Sequence, residues 1–200
     1  MKFMGLDLSM TGTGVCIMDG TTIIHQKLIT TKPIKEKTGK IIKKKGKEVE
    51  EEVSIEGEDL IRIKHIKDEI HKSMKEVDFL SEYINIRETC IAIEGPSYGM
   101  EGKTSSIHTL GKLMGIIEYW FTYELLIQYT IIPPTTLKKI ITGKGVGKKE
   151  MMLKEVYKKF GLDFNDNNLC DAFCLCSTLV PPGIREFKLA TPTLLKKRIK

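Results

Sequence analysis

Three short segments at the start of the chain, Lys2 to Leu8, Gly14 to Asp19 and Thr22 to Leu28, are rich in apolar and β-branched residues, which predicts three strands. Asp19-Gly20 between the last two is a two-residue hairpin signal, so the strands read as an antiparallel meander. A lysine-rich block then meets a glutamate-rich one. A turn at Lys45-Gly46 would set Lys43 opposite Glu48, Ile42 opposite Val49 and Lys40 opposite Glu51. Exposed ion pairs of this kind contribute only about tenths of a kcal/mol, so residues 33–56 read as an inserted charged hairpin or a loop.

From Leu60 the apolar period changes to three and four, through Ile63, Ile66, Ile70, Met74 and Val77, which is one stripe of a helix. Thr89 to Glu94 is a brief apolar run closed by Gly95-Pro96, as expected of a strand buried on both faces. A second helix is predicted over 105–125, with Ile107, Leu110, Met114, Ile117 and Phe121 on one stripe. Gly111 and Gly115 lie four apart where a neighbour could approach closely. Ile127 to Ile132 reads as a fifth strand stopped by Pro133-Pro134, and shorter helical patterns follow at Thr135 to Ile141, Lys148 to Phe160 and Asn168 to Leu179. A meander followed by strands alternating with helices predicts an α/β domain over 1–180 with a mixed five-stranded sheet, and a basic tail over 181–200.

Composition narrows the classes. The chain has 200 residues, 41% hydrophobic and 29% charged, which suits one folded domain. The longest apolar stretch, Leu113 to Ile132, is interrupted by Glu118 and Glu124, and the first residues lack a secretion signal, so no membrane span and an intracellular location are expected. Five cysteines occur without a Cys-x-x-Cys pair or zinc-spaced histidines, which suits reduced thiols.

The net charge of +6 is unevenly placed. Residues 138–159 hold eight lysines against two glutamates, and 185–200 hold six basic residues against one acid. Only four of the 32 basic residues are arginine, which favours phosphate contact over the reading of bases. Lys138, Lys144, Lys148 and Lys149 are the candidate phosphate contacts, with binding that weakens steeply as salt rises. A lysine coat on an ordinary solvated surface is the alternative on charge alone.

Three acids stand among apolar neighbours. Asp7 interrupts the apolar first strand after Phe-Met-Gly-Leu, Glu94 ends Cys-Ile-Ala-Ile, and Asp171 lies in Leu-Cys-Asp-Ala-Phe-Cys-Leu. A buried carboxylate without a partner costs several kcal/mol, so each needs a cation, a set of donors or a place at the core's edge. Singly, Asp7 could cap the following turn, Glu94 could end a strand in solvent, and Asp171 could lie in a helix's first turn. Together, if the first and fourth strands are adjacent and parallel, they can hold Mg²⁺ or Mn²⁺. Two such ions about 4 Å apart can activate water against a phosphodiester.

Four segments in order, Gly-Leu-Asp7-Leu-Ser-Met-Thr-Gly-Thr-Gly14, Ile-Ala-Ile-Glu94-Gly-Pro-Ser-Tyr98-Gly, Pro134-Thr-Thr-Leu-Lys138-Lys with Gly143-Lys-Gly-Val-Gly-Lys-Lys149-Glu, and Asn168-Leu-Cys-Asp171-Ala, resemble RuvC-type Holliday-junction resolvases, particularly their phage and viral branch. The resemblance implies an RNase H-like fold, a homodimer in a bacterial or virus-infected host cytoplasm, and Mg²⁺-dependent paired nicking of four-way DNA junctions. It matches Asp7, Glu94 and Asp171 to metal-binding acids and Lys149 to a basic residue near the scissile phosphate. Tyr98, in a Gly-rich loop with Lys103, matches an aromatic that wedges into the junction centre, where its ring could stack on a base. The pattern is broken at Asn168, where many members carry a further acid. Its amide oxygen can still coordinate a metal but brings no charge, and Asp166 could compensate.

Other signatures fail. Gly143 to Lys149 has three residues where a P-loop needs four and lacks the final Ser or Thr, and Ile17 stands where a dinucleotide fingerprint needs glycine. Two rivals keep the fold, namely a flap or RNA–DNA hybrid nuclease and a catalytically weak branched-DNA-binding protein.

Overall fold

A computed structural model describes residues 1–82, 90–96, 104–145, 149–181 and 186–189. Every residue of β1 (Lys2–Asp7) is buried, because the strand is paired on both edges and covered on both faces. On one side it pairs antiparallel with β2 (Gly12–Asp19), which pairs antiparallel with β3 (Thr22–Thr30). The charged insertion supplies β4 (Lys35–Lys44) and β5 (Lys47–Ser54), which form a separate two-stranded sheet. On its other side β1 pairs parallel with β6 (Ile91–Glu94), which pairs parallel with β7 (Tyr129–Ile132). The predicted meander and the two parallel strands are therefore present.

A sixth strand was not expected. Within the segment read as a basic tail, Phe187 is buried and β8 (Lys188–Leu189) pairs parallel with β3, giving the sheet order β7-β6-β1-β2-β3-β8.

Alternation along the strands divides the core. Met4, Leu6, Val15, Ile17, Ile91 and Ile93 face α1 (Glu58–Glu76) and α2 (Thr104–Tyr119), where they meet Ile63, Ile66, Ile70, Met74, Leu113 and Ile117. Phe3, Cys16, Met18 and Ala92 face the opposite layer of α3 (Pro134–Thr142), α4 (Lys149–Phe160) and α5 (Asn167–Thr178). Ile107, expected on the inner stripe of α2, is exposed, because it lies in the first turns of that helix while burial begins at Leu113. The helix ends in a π-helical turn over Trp120–Glu124.

The insertion is a hairpin. Lys45 and Gly46 both have positive φ, as a two-residue I′-type turn requires, and Lys43–Glu48 and Ile42–Val49 pair as predicted. Lys40 does not pair with Glu51 along the backbone, because the register shifts between Lys37 and Ile41; only its ammonium comes within 3.8 Å of that carboxylate. All five cysteines are free and buried, and burial pushes the Cys174 and Cys176 thiols well up, which keeps them protonated and unreactive.

Candidate active site

Asp7 is the last residue of β1 and is only 7% exposed. The parallel register sets Leu6 against Ile93, so the next step brings Asp7 beside Glu94, the last residue of β6. Alternation places Phe3, Gly5 and Asp7 on the α3–α5 face, and Ala92 and Glu94 on that face too. Both acids thus end neighbouring strands, about 4.8 Å apart, on one side of the sheet.

Helix α5 is laid across this end by missing side chains. A Cβ at Gly5 would lie 2.0 Å from the Ala172 carbonyl oxygen, and one at Gly14, the antiparallel partner of Asp7, would lie 2.1 Å from the Asn168 carbonyl oxygen. The helix therefore runs antiparallel to β1, with its first turns over Asp7. Asp171 lies between these two contacts. It is two residues, about 200° of helix, from Phe173, whose ring packs against Phe160, Phe164 and Phe187. Asp171 is thus on the opposite flank from that aromatic cluster. Asp171 stands in the second turn of α5, not the first turn that the sequence allowed, because the helix begins at Asn167 with Asp166 as its cap.

Asn168 takes a different place. Its amide nitrogen lies 2.8 Å from where a Cβ of Gly12 would stand, so the side chain lies over β2, on the far side of Asp7 from Glu94. Asp166 is engaged at the start of the helix. Its Oδ1 caps α5, accepting from the backbone N–H of Asn168 at 2.8 Å and of Leu169 at 3.1 Å.

The basic candidates are spread along one segment. Gly95 N–H donates to the Ile132 carbonyl at 2.9 Å, which ties the end of β6 to the point where Pro133 leads into α3. Lys138 is half-buried on α3, and Lys144 is exposed just after it. There the Thr142 hydroxyl donates to the Lys138 and Lys144 carbonyls and accepts from the Lys144 N–H. Gly145 then backs onto the Thr135 carbonyl, so the chain returns to the first turn of α3 before Lys149 opens α4. Tyr98, Lys103 and Lys148 lie outside the described residues.

One residue escaped the sequence reading. Arg62, 7% exposed, donates from Nη2 to the Met10 carbonyl at 2.8 Å, from Nε to the Thr31 hydroxyl at 3.0 Å, and from Nη1 to Glu58 at 3.2 Å. It joins the turn after Asp7 to the root of the hairpin. The turn itself is closed by the Thr13 hydroxyl, which donates to the Ser9 carbonyl at 2.7 Å and accepts from the Ser9 N–H. The available signal was an arginine four residues before Ile66, on the apolar stripe of α1 in a chain dominated by lysine.

In chemistry, three carboxylates suit a hard divalent cation. In geometry, among the described residues, no group of three or more His, Cys, Asp or Glu side chains converges closely enough to hold a metal ion. The backbone gathers the acidic positions at one end and on one face, while their side chains do not close into a chelating set.

The same arrangement of elements occurs in solved structures. T. thermophilus RuvC in complex with a Holliday junction substrate superposes with a TM-score of 0.57 at 15% identity, over 89% of this chain and 92% of that one. The fold is RuvC-like. A second structure of Thermus thermophilus RuvC gives 0.56 at 17% identity over the same shares of both chains. No family model and no curated protein sequence matches the chain. At these identities the RuvC likeness establishes the RNase H-like mixed sheet with its flanking helices and leaves the chemistry to be argued from the residues.

Proposed function

We propose that the protein is a metal-dependent endonuclease that resolves four-way DNA junctions by paired nicking, acting as a homodimer inside the cell, and that it belongs with the phage and viral resolvases its motifs resemble. The observation that carries this reading is the register that sets Asp7 beside Glu94 beneath the first turns of α5 with Asp171. One solved structure with this fold is a RuvC in complex with a Holliday junction substrate. No described helix is long and apolar enough to cross a membrane.

In this proposal Asp7, Glu94 and Asp171 are the residues that would hold two Mg²⁺ or Mn²⁺ ions once their side chains close on them, Asn168 would add at most a neutral oxygen, and Lys149 would offset charge building on the phosphate. Cations held there would supply Lewis-acid polarisation and an activated water at neutral pH. Lys103, Lys138, Lys144 and Lys148 follow the backbone of the DNA, and Tyr98 stacks on a base at the branch point. Purified protein given a synthetic four-way junction and Mg²⁺ is expected to release nicked duplexes in pairs. Asp7→Asn is expected to bind the junction without cutting it, and full cleavage by that variant overturns the proposal. Faster cutting of a flap or an RNA–DNA hybrid transfers the fold to the corresponding nuclease.

A second reading, a branched-DNA-binding protein with weak or no catalysis, is favoured by Asn168 lying over β2 and by the acids not closing into a metal-holding group. Tight junction binding in EDTA, with no cleavage in Mg²⁺ or Mn²⁺, identifies it.

A further inference from the structure

The β4–β5 hairpin is long for an element that covers so little. β4 has 10 residues and β5 has 8, and Ile41 and Val53 are 61% and 41% exposed. An isolated two-stranded ribbon is marginal in water and contributes little to a core. Its root, by contrast, is fixed. The Ile34 N–H donates to Glu58 Oε2 at 3.1 Å, the Ile55 N–H donates to the Ile34 carbonyl at 3.3 Å, and Arg62 binds Glu58, Thr31 and Met10 together. Thr30 of β3 pairs with Gly12, so the hairpin leaves the sheet at the end where Asp7 terminates β1.

Charge is separated along this ribbon. In its lower half, Lys35 pairs with Glu52 at 3.7 Å, Lys37 with Glu50 at 2.9 Å and Lys40 with Glu51 at 3.8 Å. At the tip, Lys43, Lys44, Lys45 and Lys47 surround the turn with Glu48 as the only acid in that stretch, and among the described residues none of the four makes an ion pair. The acids therefore neutralise the base of the arm and leave its end cationic. Residues 35–54 include neither an aromatic side chain nor an arginine, so the tip has no means of stacking on bases or of reading guanine through a planar fork. Lysines of this kind bind phosphates irrespective of sequence. The ribbon also lacks the Trp, Phe or Leu face with which an element inserts into a lipid surface.

We propose that the hairpin is a nucleic-acid arm whose lysine tip grips the phosphate backbone of a DNA duplex. The proposal deepens the reading above and rests on it, since the arm would hold a strand whose branch point lies at the Asp7 end of the sheet. Extended strands of this length span roughly 30 Å, so the tip reaches DNA well outside the site.

The test compares the full chain with a variant carrying Lys43→Ala, Lys44→Ala, Lys45→Asn and Lys47→Ala, asparagine being chosen because it tolerates the positive φ at 45. Affinity for a synthetic four-way junction is measured in EDTA over roughly 50 to 300 mM NaCl. The expected result is an affinity lower by about tenfold or more near 0.1 M salt, and a plot of log K against log salt flatter by about 0.9 for each phosphate that the variant leaves unneutralised. In cleavage assays KM should rise with kcat unchanged. A second variant, in which a short Gly-Ser link joins Ile34 to Ile55, should show the same loss. Equal affinity and equal salt slope in wild type and variant overturn the arm while leaving the junction reading intact. Failure of the wild type to bind the junction at any salt overturns both. Loss of adsorption to phosphatidylserine vesicles with junction binding unchanged assigns the tip to a membrane surface and also overturns the proposal.

Discussion

Gly14 lies directly beneath Asn168: a Cβ at position 14 would stand 2.1 Å from the Asn168 carbonyl oxygen and 2.6 Å from its carbonyl carbon. Both obstacles are backbone, so no side chain can swing aside and the helix itself must lift. Gly14→Ala is expected to lower stability by about 1–3 kcal/mol in urea unfolding and to reduce cleavage further than the stability loss explains, because α5 carries Asp171.

The opposite outcome is expected at Gly115. The sequence suggested close approach at Gly111 and Gly115, but among the described residues nothing comes within 4 Å of a Cβ at either position, since both face outward on α2. Gly115→Ala should raise stability by about 0.5–1 kcal/mol through backbone entropy and helix propensity, measured in the same titration.

Asp166 provides a test of role. Because its Oδ1 takes two helix N–H donors, Asp166→Ala should cost about 1 kcal/mol, and Asp166→Asn, itself a good N-cap, should restore most of it. Cleavage by Asp166→Asn close to wild type supports a capping role only. Loss of cleavage with stability preserved would make Asp166 part of the metal-holding group.

These cases show which features the sequence makes legible. Strand alternation, the helical stripe from Ile63 to Met74 and the Lys45-Gly46 turn are local periodicities and turn chemistries, and each has its counterpart in the fold. The acids at 7 and 94 stood out because carboxylates are costly among apolar neighbours, and the parallel pairing sets them side by side. What escaped is non-local. β8 has two residues and no period, and the bulge between Lys37 and Ile41 displaces Lys40 without a turn residue to announce it beyond Gly39. Arg62 reaches Met10 across 52 positions of sequence, and Asn168 turns toward Gly12 because a glycine leaves room there.

Arg62 itself should be sensitive. It is buried with Glu58, whose side chain is 14% exposed, and removing one member of a buried pair leaves the other charge uncompensated. Arg62→Ala is expected to cost about 3–5 kcal/mol, whereas Arg62→Lys keeps the charge but cannot reach Met10, Thr31 and Glu58 from one planar group. If the clamp positions the turn after Asp7, Arg62→Lys should lower kcat at temperatures where the protein is fully folded.

Histidine 25 gives the molecule an acid-side weakness. Burial on β3 pushes its pKa below the ordinary value of 6.5, with Lys27 acting in the same direction and Glu76, 3.6 Å from Nδ1, acting against it. Among the described residues its buried Nε2 has no hydrogen-bond partner. The unfolded chain takes up a proton near pH 6.5 that the folded chain resists, so this contribution to stability is complete above that pH. It is lost progressively as pH falls from 6.5 toward the lower folded value. Urea midpoints should therefore drop between about pH 7.5 and 5.5. His25→Leu removes both the titration and the unpaired nitrogen, so it should flatten that dependence and stabilise the protein most at the acidic end. An unchanged slope in His25→Leu would shift the acid sensitivity to His71, whose pKa is lowered by burial and by Lys75 and Lys67.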